Sequence, residues 1–399
     1  MSEKIKKSDN LVLKLVIGVI LGIVIGLVVN ESIMKFIVVA KHLLGQIIFF
    51  CIPLIIIGFI APSIAKLKAG ASQLLTFAVI IAYISSIGAA TMSAFSGYAI
   101  IPMLNIQSSV EGLRELPALF FDLSIPPVMS VMSALVFSLL LGLATAWTSS
   151  TLFSDILDNF QALVLKMVEK VIIPLLPFFI GCTFTGLAYE GSITKQAPIF
   201  ISVIAIVIVG HFIWLAVLYI IAGIYSKRSP KEVFKHYGPA YLTAVGTMSS
   251  AATLPVALTC ARKSKSLRPD LIDFGIPLFA NIHLCGSVLT EVFFVMTVSQ
   301  ILYGQLPSIS DMSIFIVLLG VFAIGAPGVP GGTVMASLGL ITGVLGFDTN
   351  GIALMLTIFA LQDSFGTACN VTGDGALTLI VTGFAEKRKI KDQTDSLNL

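Results

Sequence analysis

The segment from Asp363 to Asp374 sets Asp363, Thr367, Asn370 and Asp374 at spacing i, i+4, i+7 and i+11. At about 100° per residue these four polar side chains share one stripe of a helix. The rest of that helix is rich in Leu, Ile, Ala and Phe. Two acids in such surroundings are costly unless a cation meets them, yet no Lys or Arg occurs between Arg268 and Lys387. The chemistry this pattern suits is pairing with a guest: a bound cation, or the ammonium group of a ligand. The alternative is a structural pair of acids bonded to neighbouring hydroxyls.

Three further clusters bear on the same chemistry. Thr247-Met-Ser-Ser-Ala-Ala-Thr-Leu-Pro255 places serines ahead of a helix start, where hydroxyls and free backbone N–H groups attract a carboxylate; the plainer reading is hydroxyls that satisfy a tight turn. Asn281-Ile-His-Leu-Cys-Gly-Ser287 interrupts an apolar run, with Glu291 one turn further. Imidazole and carboxyl can each take up a proton, so Glu291 and His283 are the proton candidates; a hydrogen-bonded structural histidine is the alternative. Gly325-Ala-Pro-Gly-Val-Pro-Gly-Gly332 is a dense helix breaker. His42 and His211 read as interfacial. The five cysteines lie in apolar stretches without CxxC spacing, which argues against a disulfide framework or a zinc site.

These groups sit in a chain of 399 residues that is 57% apolar and 11% charged, with a mean hydropathy of +1.01. Such a composition excludes a soluble enzyme, a disordered chain and a nucleic-acid binder. Apolar segments run at about 11–29, 36–60, 74–104, 127–147, 156–188, 198–225, 237–260, 270–299, 313–345 and 352–385. The first is long for a signal peptide and lacks a small-residue cleavage site, so it reads as a retained span. Of the 24 basic residues, 17 fall in five clusters: Lys4/Lys6/Lys7, Lys66/Lys68, Lys227/Arg228/Lys231/Lys235, Arg262/Lys263/Lys265/Arg268 and Lys387/Arg388/Lys389/Lys391. Cytoplasmic loops collect Lys and Arg. Placing all five clusters inside puts both termini there and requires an even number of crossings between consecutive clusters.

Only 237–260 separates the third cluster from the fourth, and a double crossing needs roughly 40 residues. That segment must enter and leave by one face. Three segments separate the fourth cluster from the fifth, so 313–345, carrying the breaker, is a second hairpin entering from outside. The expected fold is all-α and polytopic: eight transmembrane helices plus two oppositely oriented re-entrant hairpins. Broken segments of this kind point to a transport site near the midplane. A gated ion or anion pathway is the alternative of another class. No DDxxD, HExxH or nucleophile elbow suggests an enzyme.

The tip Ser249–Pro255, the breaker Gly325–Gly332 and the stripe Asp363–Asp374 resemble the dicarboxylate/amino acid:cation symporters. This is the glutamate-transporter-like family, whose bacterial members include serine/threonine symporters, and the resemblance covers essentially the whole chain. It implies that Asp363 binds a substrate's α-ammonium, with Thr367 and Asn370 near the α-amino and α-carboxylate ends. Ser249, Ser250 and Ala251 of the first tip, Gly328 and Val329 of the second, and Gly366 would complete the substrate site. Asp374 would ligate sodium, with backbone groups of Phe279, His283 and Asn370; Ala323, Ile324 and Ala326 would form a second sodium site. Sodium ions, protons or both would be the coupling ions, with no other cofactor.

The resemblance further implies a homotrimer in the lipid of a cell membrane. Residues 1–73 would be scaffold, 74–104 a transport-domain span, and 105–225 spans four to six, the sixth in the transport domain. Residues 226–385 would form the transport-domain core and 386–399 a cytoplasmic tail. The core would move as an elevator behind an outer-hairpin gate.

The departures are informative. Where dicarboxylate carriers place an arginine, this chain has Gly366 and Met248. A buried anionic side chain would lack a partner, which favours a neutral amino acid over an acidic one or a dicarboxylate. Gly366 also suggests extra room beside the stripe. The family's Asn-Met-Asp-Gly-Thr is here His283-Leu-Cys-Gly-Ser287. Hard cations prefer oxygen to a thiol, so fewer sodium ions are expected to couple. Glu291 falls where the proton-coupled members carry their proton.

Overall fold

The computed structural model describes Lys14 and residues 17–68, 73–104, 106, 116–129, 131–148, 150–191, 193–326 and 330–390. Lys4, Lys6, Lys7 and Lys391, the side chains of Lys66 and Lys68, and the tip residues Gly328 and Val329 lie outside the described residues. Every regular element among the described residues is helical. In chain order these are α1 (Ile17–Val28), α2 (Glu31–Lys68), α3 (Gln73–Ile100), α4 (Val131–Thr148), α5 (Thr151–Met167), α6 (Ile173–Glu190), α7 (Ile193–Ser226), α8 (Pro230–Phe234), α9 (Gly238–Thr247), α10 (Ser250–Ala261), α11 (Pro269–Ile282), α12 (Cys285–Tyr303), α13 (Ile309–Gly325), α14 (Gly332–Gly343) and α15 (Thr349–Lys387). The eight expected spans correspond to α1, α2, α3, α4, α5 with α6, α7, α11 with α12, and α15. The hairpins are α9/α10 and α13/α14.

Among the described residues, four stretches are long and apolar enough to cross a membrane on their own: Glu31–Gly58, Gln73–Leu104, Ile199–Ser226 and Pro269–Tyr303. The fifth expected span is not straight. Thr151–Ile172 and Pro177–Glu190 meet at 48° across a π-helical turn at Val168–Ile172. Pro174 and Pro177 follow that turn and withhold N–H groups from the helical ladder.

The hairpins enter from opposite ends. At the basic end, the Arg228 side chain, just ahead of α8, donates to Ser266 O beyond α10 at 2.9 Å and pairs with Glu386 at the end of α15. Arg268 reaches Ile390 O at 2.9 Å. The strands of chain entering and leaving α9/α10 are therefore fastened together at one face. At the other end, Tyr303 OH donates to Asp348 Oδ1 at 2.9 Å and Tyr98 OH to Pro307 O at 2.9 Å. That is where α13 begins.

Burial separates centre from periphery. All residues of 283–299 on α12 with its lead-in, and of 331–341 on α14 with its lead-in, are buried. A helix apolar all round belongs in an interior. On α4 and α5, Val136, Phe137, Leu140, Trp147, Leu152, Phe153 and Leu163 are exposed, as a lipid-facing surface requires.

Candidate functional site

Each polar residue of the α15 stripe is buried, and each acid meets a break in another element. Asp363 Oδ2 accepts the backbone N–H of Gly331 at 2.7 Å. Gly331 caps α14 in a left-handed conformation (φ 73°) that only glycine adopts readily. One and a half turns along α14, the Ser337 hydroxyl donates to Glu291 on α12. The outer hairpin is thus fastened twice, by its tip to α15 and by its inner arm to α12.

The second meeting point is the break in the seventh span. Helix α11 ends at Ile282, and α12 begins at Cys285 after an extended His283. The N–H of His283 still donates to Phe279 O at 2.9 Å. Its ring is fully buried, with Nδ1 2.9 Å from Asp374 Oδ1 and Nε2 2.9 Å from Ser85 Oγ on α3. Asn370 Oδ1 accepts the N–H groups of Gly286 and Ser287 at 2.7 and 3.2 Å, and its Nδ2 donates to Ser287 Oγ at 2.9 Å. The first N–H groups of a helix have no intrahelical partner. Asn370 therefore caps α12 from across the packed interface, through its Oδ1 and one N–H of its Nδ2.

This cap requires close approach. A Cβ on Gly286 would lie 2.4 Å from Gly366 O and 2.5 Å from Cys369 Cβ. At Gly366 a Cβ would meet Ser287 N, Cα and Oγ at 3.4 Å, an ordinary van der Waals contact, so the room beside the stripe is about that of a methyl group.

At the first tip, Met248 is left-handed (φ 50°), and Ser249 Oγ caps α10 by accepting Ala252 N–H at 3.2 Å. The Thr247 and Thr253 hydroxyls bond to each other at 2.9 Å. These three hydroxyls satisfy a tight turn. Ser250 is buried and Ala251 exposed. A Cβ on Gly375 would lie 2.7 Å from Tyr237 Cζ, at the foot of α9. Ten helical residues rise about 15 Å from there, which carries the tip along α15 to the level of Asp363–Thr367.

Phe279, His283, Asn370 and Asp374 come together at the break, and Asp363, Gly366 and Thr367 lie on α15 just beyond it. Ala323, Ile324 and Ala326 lie at the end of α13 on the other hairpin. Among the described residues, no group of three or more His, Cys, Asp or Glu is arranged to hold a metal ion. His211 is not interfacial. It is buried mid-way along α7, with Nε2 3.0 Å from both Gly286 O and Thr290 Oγ1. Helix α7 begins at Ile193, so His211 stands at the height of the break. Ser85 and Ser337, partners of His283 and Glu291, were not singled out by the sequence; a hydroxyl inside an apolar run was the available signal.

Long apolar helices, two opposed hairpins and acids set at the breaks define an integral membrane protein of the kind that builds transport sites from discontinuous helices. The chain belongs to the sodium:dicarboxylate symporter family, which matches residues 11–384. That is a family of symporters, not of enzymes. An excitatory amino acid transporter of Caenorhabditis elegans is 24% identical over 62% of this chain and 49% of its own length. Bovine excitatory amino acid transporter 3 is 25% identical over 65% and 49%. The neutral amino acid transporter B(0) of Macaca fascicularis is 24% identical over 48% and 35%. The chain spans about half the length of the first of these relatives.

Proposed function

We propose that this protein is a secondary active transporter that carries a small neutral amino acid together with a coupling cation. The observation that carries the reading is Asp363: a buried carboxylate at the junction of the outer hairpin tip and α15, with no Lys or Arg in the chain from 269 to 386 to neutralise it. A substrate ammonium would take the place now held by the Gly331 N–H, and the tip would close over it. Asp374 would serve the cation through Oδ2, which has no hydrogen-bond partner among the described residues, with nearby backbone carbonyls. Sodium, a proton on Glu291 or both would supply the coupling.

A neutral side chain is favoured because Gly366 and Met248 offer no positive charge to an acidic one. In this reading α3, α7 and residues 226–385 form a domain that moves as an elevator against a trimeric scaffold, with both termini cytoplasmic. The test is a thermal-shift screen of amino acids and dicarboxylates, with and without sodium, at two pH values. Neutral amino acids should stabilise the protein and Asp363→Asn should abolish the shift. Stabilisation by dicarboxylates alone, or tight amino-acid binding by Asp363→Asn, would overturn the assignment.

A further inference from the structure

Two fully buried side chains beside the site have unused hydrogen-bonding capacity. Glu291 accepts from Ser337 through Oε1, while its Oε2 has no partner among the described residues. Gln362 is 0% exposed, and neither its amide oxygen nor its amide nitrogen has a partner there. Polar groups are rarely buried in this condition, because each loses its hydration without return.

The packing of α12 on α15 sets these two groups at one level. Gly286 and Ser287 approach Gly366 and Cys369, and Tyr303 reaches Gly351, so the helices run antiparallel. One turn onward from Ser287 is Glu291; one turn back from Gly366 is Gln362. Both steps stay on the facing stripe. Three other polar side chains of this region are engaged elsewhere. Asp363, which is close enough to act on Glu291 electrostatically, accepts from Gly331. Thr290 Oγ1 is engaged by Gly286 O and His211, and the Ser93 hydroxyl of α3 donates to Leu289 O.

We propose that Gln362 is a positioning residue that takes over Glu291 when the outer hairpin opens. In the closed arrangement Ser337 holds the carboxyl group. When α14 swings away, Ser337 leaves, and the Gln362 amide N–H becomes the donor. The exchange spares the carboxyl group from standing unpaired in an apolar core, which would otherwise oppose opening. This rests on the outer hairpin being the gate.

The two donors should therefore act with opposite sign on one equilibrium. The measurement is hydrogen–deuterium exchange of the α14 amides in the full-length protein in nanodiscs. It is made in choline, in sodium, and in sodium with L-serine, L-threonine or L-aspartate. Ser337→Ala should speed exchange roughly tenfold, and Gln362→Leu should slow it by a similar factor. Neither change should have an effect in an Glu291→Leu background. Gln362→Met, of like volume, serves if Gln362→Leu does not fold. Faster or unchanged exchange in the Gln362 variant, or an effect that persists without Glu291, overturns the proposal. Wild-type exchange that responds to none of the probes would instead refute the gate itself, a result distinct from a responsive wild type with indifferent variants.

Discussion

His283 and Asp374 join the broken seventh span to the last helix through one buried contact, Nδ1 to Oδ1 at 2.9 Å. The other ring nitrogen reaches Ser85, so a single imidazole ties α3, the span-seven break and α15 together. Breaking a buried pair by removing one partner typically costs about 3–5 kcal/mol, because the remaining charge is stranded. His283→Ala should lower the melting temperature markedly in choline. If Asp374 is a cation ligand, sodium should restore part of the loss by occupying the freed oxygen. Melting curves in the two salts check this, and an equal deficit in both would speak against a cation at Asp374.

Asn370 caps α12, and its removal should be felt in that helix. Asn370→Ala leaves the N–H groups of Gly286 and Ser287 without their acceptor, at roughly 1–3 kcal/mol for each unsatisfied group. Asn370→Asp keeps the acceptor but loses the donation to Ser287 Oγ and adds a charge. We expect both variants to be destabilised, with exchange accelerated first at the start of α12. Protection unchanged at Gly286–Val288 would show that the cap is dispensable.

Much of this arrangement was legible in the sequence, for physical reasons that also mark where it stopped. The hairpins followed from charge, because loops that carry Lys and Arg gather at one face, and Arg228 does meet Ser266 and Glu386 there. The stripe on α15 followed from helical period. What could not be read were partnerships between distant positions. Ser85 and His283 lie 198 residues apart, and no local pattern couples a hydroxyl in α3 to an imidazole in span seven. His211 looked peripheral because its role depends on the height at which α7 passes the break. How closely Ser287 approaches Gly366 likewise has no signature in residue type.

The α12/α15 contact makes a contrast between two glycines. Gly286 lies under the backbone of α15, where an added methyl group would overlap Gly366 O and Cys369 Cβ. Gly210, within α7, would place its Cβ 3.4 Å from Leu289 Cδ2, an ordinary contact. Overpacking costs about 1–3 kcal/mol, whereas alanine gains about 0.5–1 kcal/mol over glycine within a helix. Gly286→Ala should lower the melting temperature and weaken ligand-induced stabilisation, and Gly210→Ala should leave both unchanged or raise the melting temperature slightly. Equal effects of the two would show that the close approach does not matter.

A second seam of small residues lies away from the site. Gly18, Gly22 and Gly26 of α1 repeat at i, i+4 and i+8, and a Cβ on each would lie 2.4–2.6 Å from Pro177 O, Gly181 O and Thr185 O of α6. Lipid supplies no hydrophobic drive for helices to associate, so close backbone approach through small residues has to hold such a pair. Gly22→Leu should force α1 off α6 and lower the melting temperature. Its ligand-induced shift should survive, because neither helix contributes a residue to the α15 stripe or the span-seven break. A melting temperature equal to wild type would show that α1 does not depend on this seam. Loss of the ligand-induced shift would tie α1 to the site after all.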